Sequence, residues 1–115
     1  MSSAIREQQK LCKKLGVPWV ASPEHLKVGI ARNVWGGMEP VNGLRHPAEG
    51  DTTGWYLWAG EELSDATDFF EPVCVRHLVD ARPALLEFLG LPPGWRFLTA
   101  GDYIDIWEDR TLLDI

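Results

Sequence analysis

A chain of 115 residues, 45% hydrophobic and 24% charged, has the length of one ordinary domain and too much apolar character to stay disordered. No apolar run approaches the roughly 18 residues that cross a bilayer, and two cysteines, Cys12 and Cys74, are too few for a disulfide scaffold. The net charge of −6 is uneven: residues 1–32 carry six basic side chains against two acids, and residues 33–115 carry five arginines against fifteen acids. Such an acidic body repels phosphate backbones and draws in cationic partners. A protein partner is therefore expected before a nucleic acid or a membrane, although solubility alone also explains the charge. The opening MSSAIREQQKLCKKLG has no apolar h-region, so a cytoplasmic protein with reduced thiols is expected.

Ser3 to Leu15 is predicted as an amphipathic helix, because Ile5, Gln8, Leu11, Cys12 and Leu15 recur on one face. Gly16 and Pro18 end it. Val17 to Ala21 is a short apolar segment, and Ser22-Pro23-Glu24 has the form of a cap on one helical turn. Lys27 to Ala31 is predicted as a buried strand, with a tight turn at Trp35-Gly36-Gly37-Met38. Met38 to Arg45 is then expected to return as the second strand of a hairpin.

His46 to Gly54 reads as a loop, and Trp55 to Ala59 (WYLWA) as an aromatic strand ended by Gly60-Glu61-Glu62. Within that strand Trp55, Leu57 and Ala59 point one way and Tyr56 and Trp58 the other, so it is either central and covered twice or open to a partner. Ser64 to Phe70 is expected as a loop or one helical turn. Pro72 to Val79 fits a strand at its start and a helix at its end. Pro83 to Leu89 is predicted as a helix, and Trp95–Thr99 and Tyr103–Trp107 as two strands joined through Ala100-Gly101-Asp102. The elements describe a single α+β domain over 1–115: a mainly antiparallel sheet of about five strands with two or three helices. Residues 1–26 form an N-terminal helical extension.

No catalytic signature stands out. His25, His46 and His77 have no metal-pair spacing, and Cys74 with His77 makes at most two ligands. Cys74, His77 and Asp80 have no oxyanion loop beside them. No cofactor or metal is expected. The acids fall into one group at Glu61, Glu62, Asp65, Asp68 and Glu71, and another around the last strand, where Asp105 shares a face with Tyr103 and Trp107. Six tryptophans suggest interface anchors as well as core. Trp55 and Trp58, with the rim of Glu61, Glu62, Asp65 and Asp68, are the expected partner-binding residues. The alternative is a small ligand-binding module or enzyme whose pocket is lined by Trp55, Trp58, Asp105 and Trp107. A structural role in a larger assembly is a third reading.

The stretch VGIARNVWGGMEPVNGLRHPAEGDTTGWYLWAGEE resembles the immunity-protein-33 domain family, most specifically in TGWYLWAGEE, and the resemblance covers residues 27–110. Gly54, Trp55, Gly60 and Glu61 match motif positions, with Gly54 and Gly60 as turn formers. His46-Pro47 departs from the acidic, aromatic stretch of the pattern. The resemblance implies a bacterial protein of polymorphic-toxin systems that binds and neutralises a cognate protein toxin without turnover; the cationic character of such a partner is what the acidic body suggests.

Overall fold

The segment Thr52–Ala59 (β3) carries apolar side chains on both of its faces, which suits a strand covered twice and organises the rest of the chain around it. The computed structural model describes residues 2–60 and 69–114. In it a helix, α1 (Ser2–Leu15), precedes β1 (Lys27–Ala31) and β2 (Val41–Arg45). After β3 come β4 (Phe70–Cys74), α2 (Val75–Ala81), a 3-10 segment at Pro83–Phe88, β5 (Trp95–Ala100), β6 (Tyr103–Glu108) and a last 3-10 turn at Arg110–Leu113. The six strands form one sheet in the order β4-β1-β3-β2-β5-β6. Only β1 and β3 run parallel, so the expected α+β domain with a mainly antiparallel sheet is what the chain forms.

The expected pairing of β1 with β2 is wrong. β3 lies between them, parallel to β1 and antiparallel to β2. Nine residues separate β1 from β2, too many for a tight hairpin, and they carry the chain across the end of β3. There the Asn33 side chain pairs with the last residue of the strand: Nδ2 donates to Ala59 O at 2.8 Å, and Oδ1 accepts from Ala59 N at 3.0 Å. The hairpin instead joins β2 to β3. The ambiguous stretch after Pro72 divides into the end of β4 and the start of α2, and Pro83–Phe88 winds as a 3-10 helix. Ser22-Pro23-Glu24 begins a single turn, closed by Leu26 N donating to Pro23 O, and not a helix. The loop or turn expected at Ser64 to Phe70 lies outside the described residues up to Asp68.

Both helices and the Pro83–Phe88 segment cover one face of the sheet. Val28, Ile30, Trp55, Leu57, Leu78, Leu85, Phe88 and Phe97 make its dry core. α1 docks through the predicted face, where Gln8 is buried but satisfied: Nε2 donates to Leu86 O at 2.8 Å and Oε1 accepts from Trp19 Nε1 at 3.0 Å. Among the described residues the other face has only a small cluster, in which Ala31, Leu44, Trp58 and Leu112 are buried and Phe69 and Phe70 pack against them.

Candidate functional site

The thinly covered face holds the candidate site. On β3 the side chains of Tyr56 and Trp58 project to this face, and Trp55 and Leu57 project to the helices. Tyr56, in the middle of a central strand, is nonetheless 37% exposed. Gly29 of β1 makes room for its ring: a Cβ there would lie 2.6 Å from Tyr56 Cδ1. The ring meets His46 edge-on at 5.6 Å and Phe70 edge-on at 5.1 Å between centroids. Around Leu44, His46, Pro47, Glu49, Tyr56 and Phe70 lies an open cavity of about 360 Å³. A second, of about 210 Å³, lies on the Gly29 side of the same ring and reaches Pro72. Tyr56 is the wall between them.

The surroundings hold this groove in place. His46 N donates to Gly54 O at 2.9 Å, and Gly54 has φ of +89° with a notional Cβ only 1.9 Å from His46 O, so no other residue fits there. The motif glycine thus sets the approach of the loop after β2 to the start of β3. The ring nitrogen Nδ1 of His46 lies 2.9 Å from Leu112 O, which ties the groove to the C-terminal turn. Asp109 caps that turn, accepting from Thr111 N at 3.1 Å, and pairs with Arg96 at 3.2 Å. The Thr111 hydroxyl and then Arg96 hold the Asp109 carboxyl below the usual carboxylate range. Arg96 in turn lies over Trp107 at 5.3 Å and over Trp58 at 6.0 Å.

Trp55 and Trp58, expected to meet a partner, are instead core, 1% and 3% exposed. A tryptophan on a central strand is worth more to folding than to a surface. Glu61, Glu62, Asp65 and Asp68 lie outside the described residues. Gly60 ends β3, where its N–H donates to Pro40 O and its carbonyl accepts from Asn42 Nδ2, both at 2.8 Å. The pocket of Trp55, Trp58, Asp105 and Trp107 does not form, because Trp55 is on the opposite face and Asp105 stands exposed on the outermost strand. Cys74 is half-buried and His77 exposed, and among the described residues no group of three or more His, Cys, Asp or Glu could hold a metal ion. Both cysteines are free thiols, and burial pushes the Cys12 thiol up despite the nearby Arg45.

Two features escaped sequence reasoning. Tyr56 was legible as the partner of Trp58 in alternation, but the Gly29 that lets its ring lie across the sheet is a neighbour only in space. Arg45 is the other. It is 2% exposed, and its guanidinium donates to five backbone carbonyls: Thr53, Val20, Ala21 and Leu91 at 2.8 to 3.1 Å, and Leu89 at 3.4 Å. Its charge lies over Trp55 at 5.6 Å, whose Nε1 also donates to Leu89 O.

A family model described as the Imm33-like domain matches residues 7–109. No curated protein and no solved structure matches the chain.

Proposed function

Because the chain belongs to the Imm33-like domain family, we propose that it is a non-catalytic immunity protein that binds and neutralises a cognate protein toxin in the bacterial cytoplasm. The family match over nearly the whole chain carries this reading. Two other observations support it. The acidic body suits a cationic partner, whose approach it would accelerate. The groove around Tyr56 offers an exposed aromatic anchor beside a carboxylate, Glu49, in the manner of an interface core with a charged rim. The carboxylates Glu61, Glu62, Asp65 and Asp68, which precede Phe69 and Phe70 in the chain, add to the acidic character that suits a cationic partner.

The test is co-expression with the product of the adjacent gene. The chain should restore growth to cells that this product poisons, and the purified pair should associate one to one. Inhibition should be stoichiometric. Growth that stays poisoned, with no complex, would overturn the reading, and neutralisation by catalytic amounts of the chain would make it an enzyme.

A further inference from the structure

The two edges of the sheet differ. β4 has five residues with Pro72 at its centre, which removes a donor from its outer edge, and Glu71 beside it is tied to Arg32 at 2.9 Å. β6 has six residues, YIDIWE, with neither proline nor lysine, and its Tyr103 and Ile104 are 60% and 49% exposed. Among the described residues nothing pairs with its outer side.

Hydrogen-bond phase shows what that side presents. His46 N donates to Gly54 O and Gly60 N to Pro40 O, so Asn42 and Leu44 turn their backbone groups toward β3. Val41 and Gly43 then face Thr99 and Phe97 of β5, which leaves Arg96, Leu98 and Ala100 to bond with Trp107, Asp105 and Tyr103. Asp109 N donating to Gly94 O at 2.6 Å continues the same alternation. The N–H and C=O groups of Ile104, Ile106 and Glu108 therefore point away from the sheet. Below that edge, on the helix side, Leu11, Leu15 and Phe88 line a cavity of about 390 Å³ with Ile104 and Ile106, rimmed by Lys14 and Glu87.

We propose that the outer edge of β6 takes up an extended segment of a basic protein partner as a seventh strand. Residues of that segment opposite Ile104 and Ile106 put their side chains over the apolar cavity. The residue between them lies across from Asp105, on the other face, where a lysine or arginine forms an opposite-charge cross-strand pair. The preferred segment thus alternates apolar with basic. A second copy of the chain is the poorer occupant, since antiparallel pairing centred on this strand sets Asp105 opposite its own copy and Glu108 opposite Asp102. The partner's being a toxin rests on the functional reading above; the edge does not.

The test is amide hydrogen exchange on the full chain, read residue by residue, with millimolar capped peptides. A peptide alternating valine with lysine should slow exchange at Ile104 and Ile106 by about tenfold or more. Its counterpart with a central proline should not, and one alternating valine with glutamate should do so less. Ile104→Pro removes an outward N–H without breaking a bond to β5, and should abolish the effect. Asp105→Lys, which keeps every backbone group, should weaken it severalfold even if the proline variant fails to fold. Equal protection by the proline peptide, protection centred on Tyr56, or protection of Ile104 that grows with chain concentration alone would overturn the proposal. Peptide pairing without toxin neutralisation would remove only the functional reading. Full neutralisation by both folded variants would remove only the β6 edge as the toxin's docking site.

Discussion

One strand, β3, shows two opposite uses of tryptophans three positions apart. Trp55 faces the helices, where its indole N–H has a carbonyl partner and Arg45 lies against its ring. Trp58 faces the thin cluster, where its buried Nε1 has no hydrogen-bond partner among the described residues, and Tyr56 beside it stays exposed. The covered face is thus a satisfied polar-apolar lattice, whereas the open face is held by ring edges, Arg96 and one short turn. A face that leaves the ring of Tyr56 exposed in the middle of a central strand has not been optimised for folding alone.

The hardest blow to the covered face is Arg45→Ala. It leaves the buried carbonyls of Thr53 and Leu91, and those of Val20 and Ala21 nearer the surface, without this donor, and a loss of about 4 kcal/mol is expected by chemical denaturation. Burial pushes Arg45 down to about 10, so it stays charged at neutral pH and adds no titration step to stability between about pH 6 and 8. A loss below about 1 kcal/mol would show that the carbonyls find water and that this lattice is dispensable.

The two tryptophans sharpen the contrast at closer range. Trp55→Phe removes a donated hydrogen bond and the ring under Arg45, and should cost roughly 2 kcal/mol. Trp58→Phe removes an N–H that has no partner among the described residues, so its cost should be limited to lost area, near 1 kcal/mol. Equal losses in the denaturation midpoint would erase the distinction between the faces. Tyr56→Ser tests the open face directly. The ring is partly in water but packs on His46 and Phe70, so stability should fall by roughly 2 kcal/mol, while affinity for a protein toxin should drop more than about tenfold. Unchanged affinity would move the interface away from the groove.

Most of the framework was legible from the residues, for identifiable reasons. Periodicity placed α1, β1, β5 and β6 within a residue or two, because local pattern and tertiary environment agree there. Alternation in WYLWA separated Trp55 from Trp58 correctly. What local pattern could not carry was the strand order: adjacency of β1 and β2 in sequence argued for a hairpin, and only the two-sided apolarity of β3 pointed to its central place. For the same reason the tryptophans were assigned to a partner, since side-chain type signals an anchor and a core equally well. Arg45 reads as one more charge in a polar stretch, because its acceptors come from backbone far off in the chain. The groove needed His46, Tyr56 and Phe70 to meet, and no spacing rule joins them.

The smallest effect divides the faces by pH. Glu87, packed on the helix side, is pushed up by burial and then by Glu7, so its ionised form is disfavoured in the folded chain. Its folded value lies above the unfolded one; it therefore subtracts stability at neutral pH, and that penalty is relieved as pH falls through the folded value. Asp109 on the open side is shifted the other way. Its contribution is present above the unfolded carboxylate value and disappears only as pH falls through its own lower one. Glu87→Gln should then raise stability at pH 7, by under about 0.5 kcal/mol because the side chain is partly solvated. Asp109→Asn should lower it, and each variant should converge with the parent chain under acid conditions. Denaturation midpoints at a series of pH values read both. Two curves displaced to the same side of the parent would mean that these carboxylates respond to net charge and not to their own faces of the sheet.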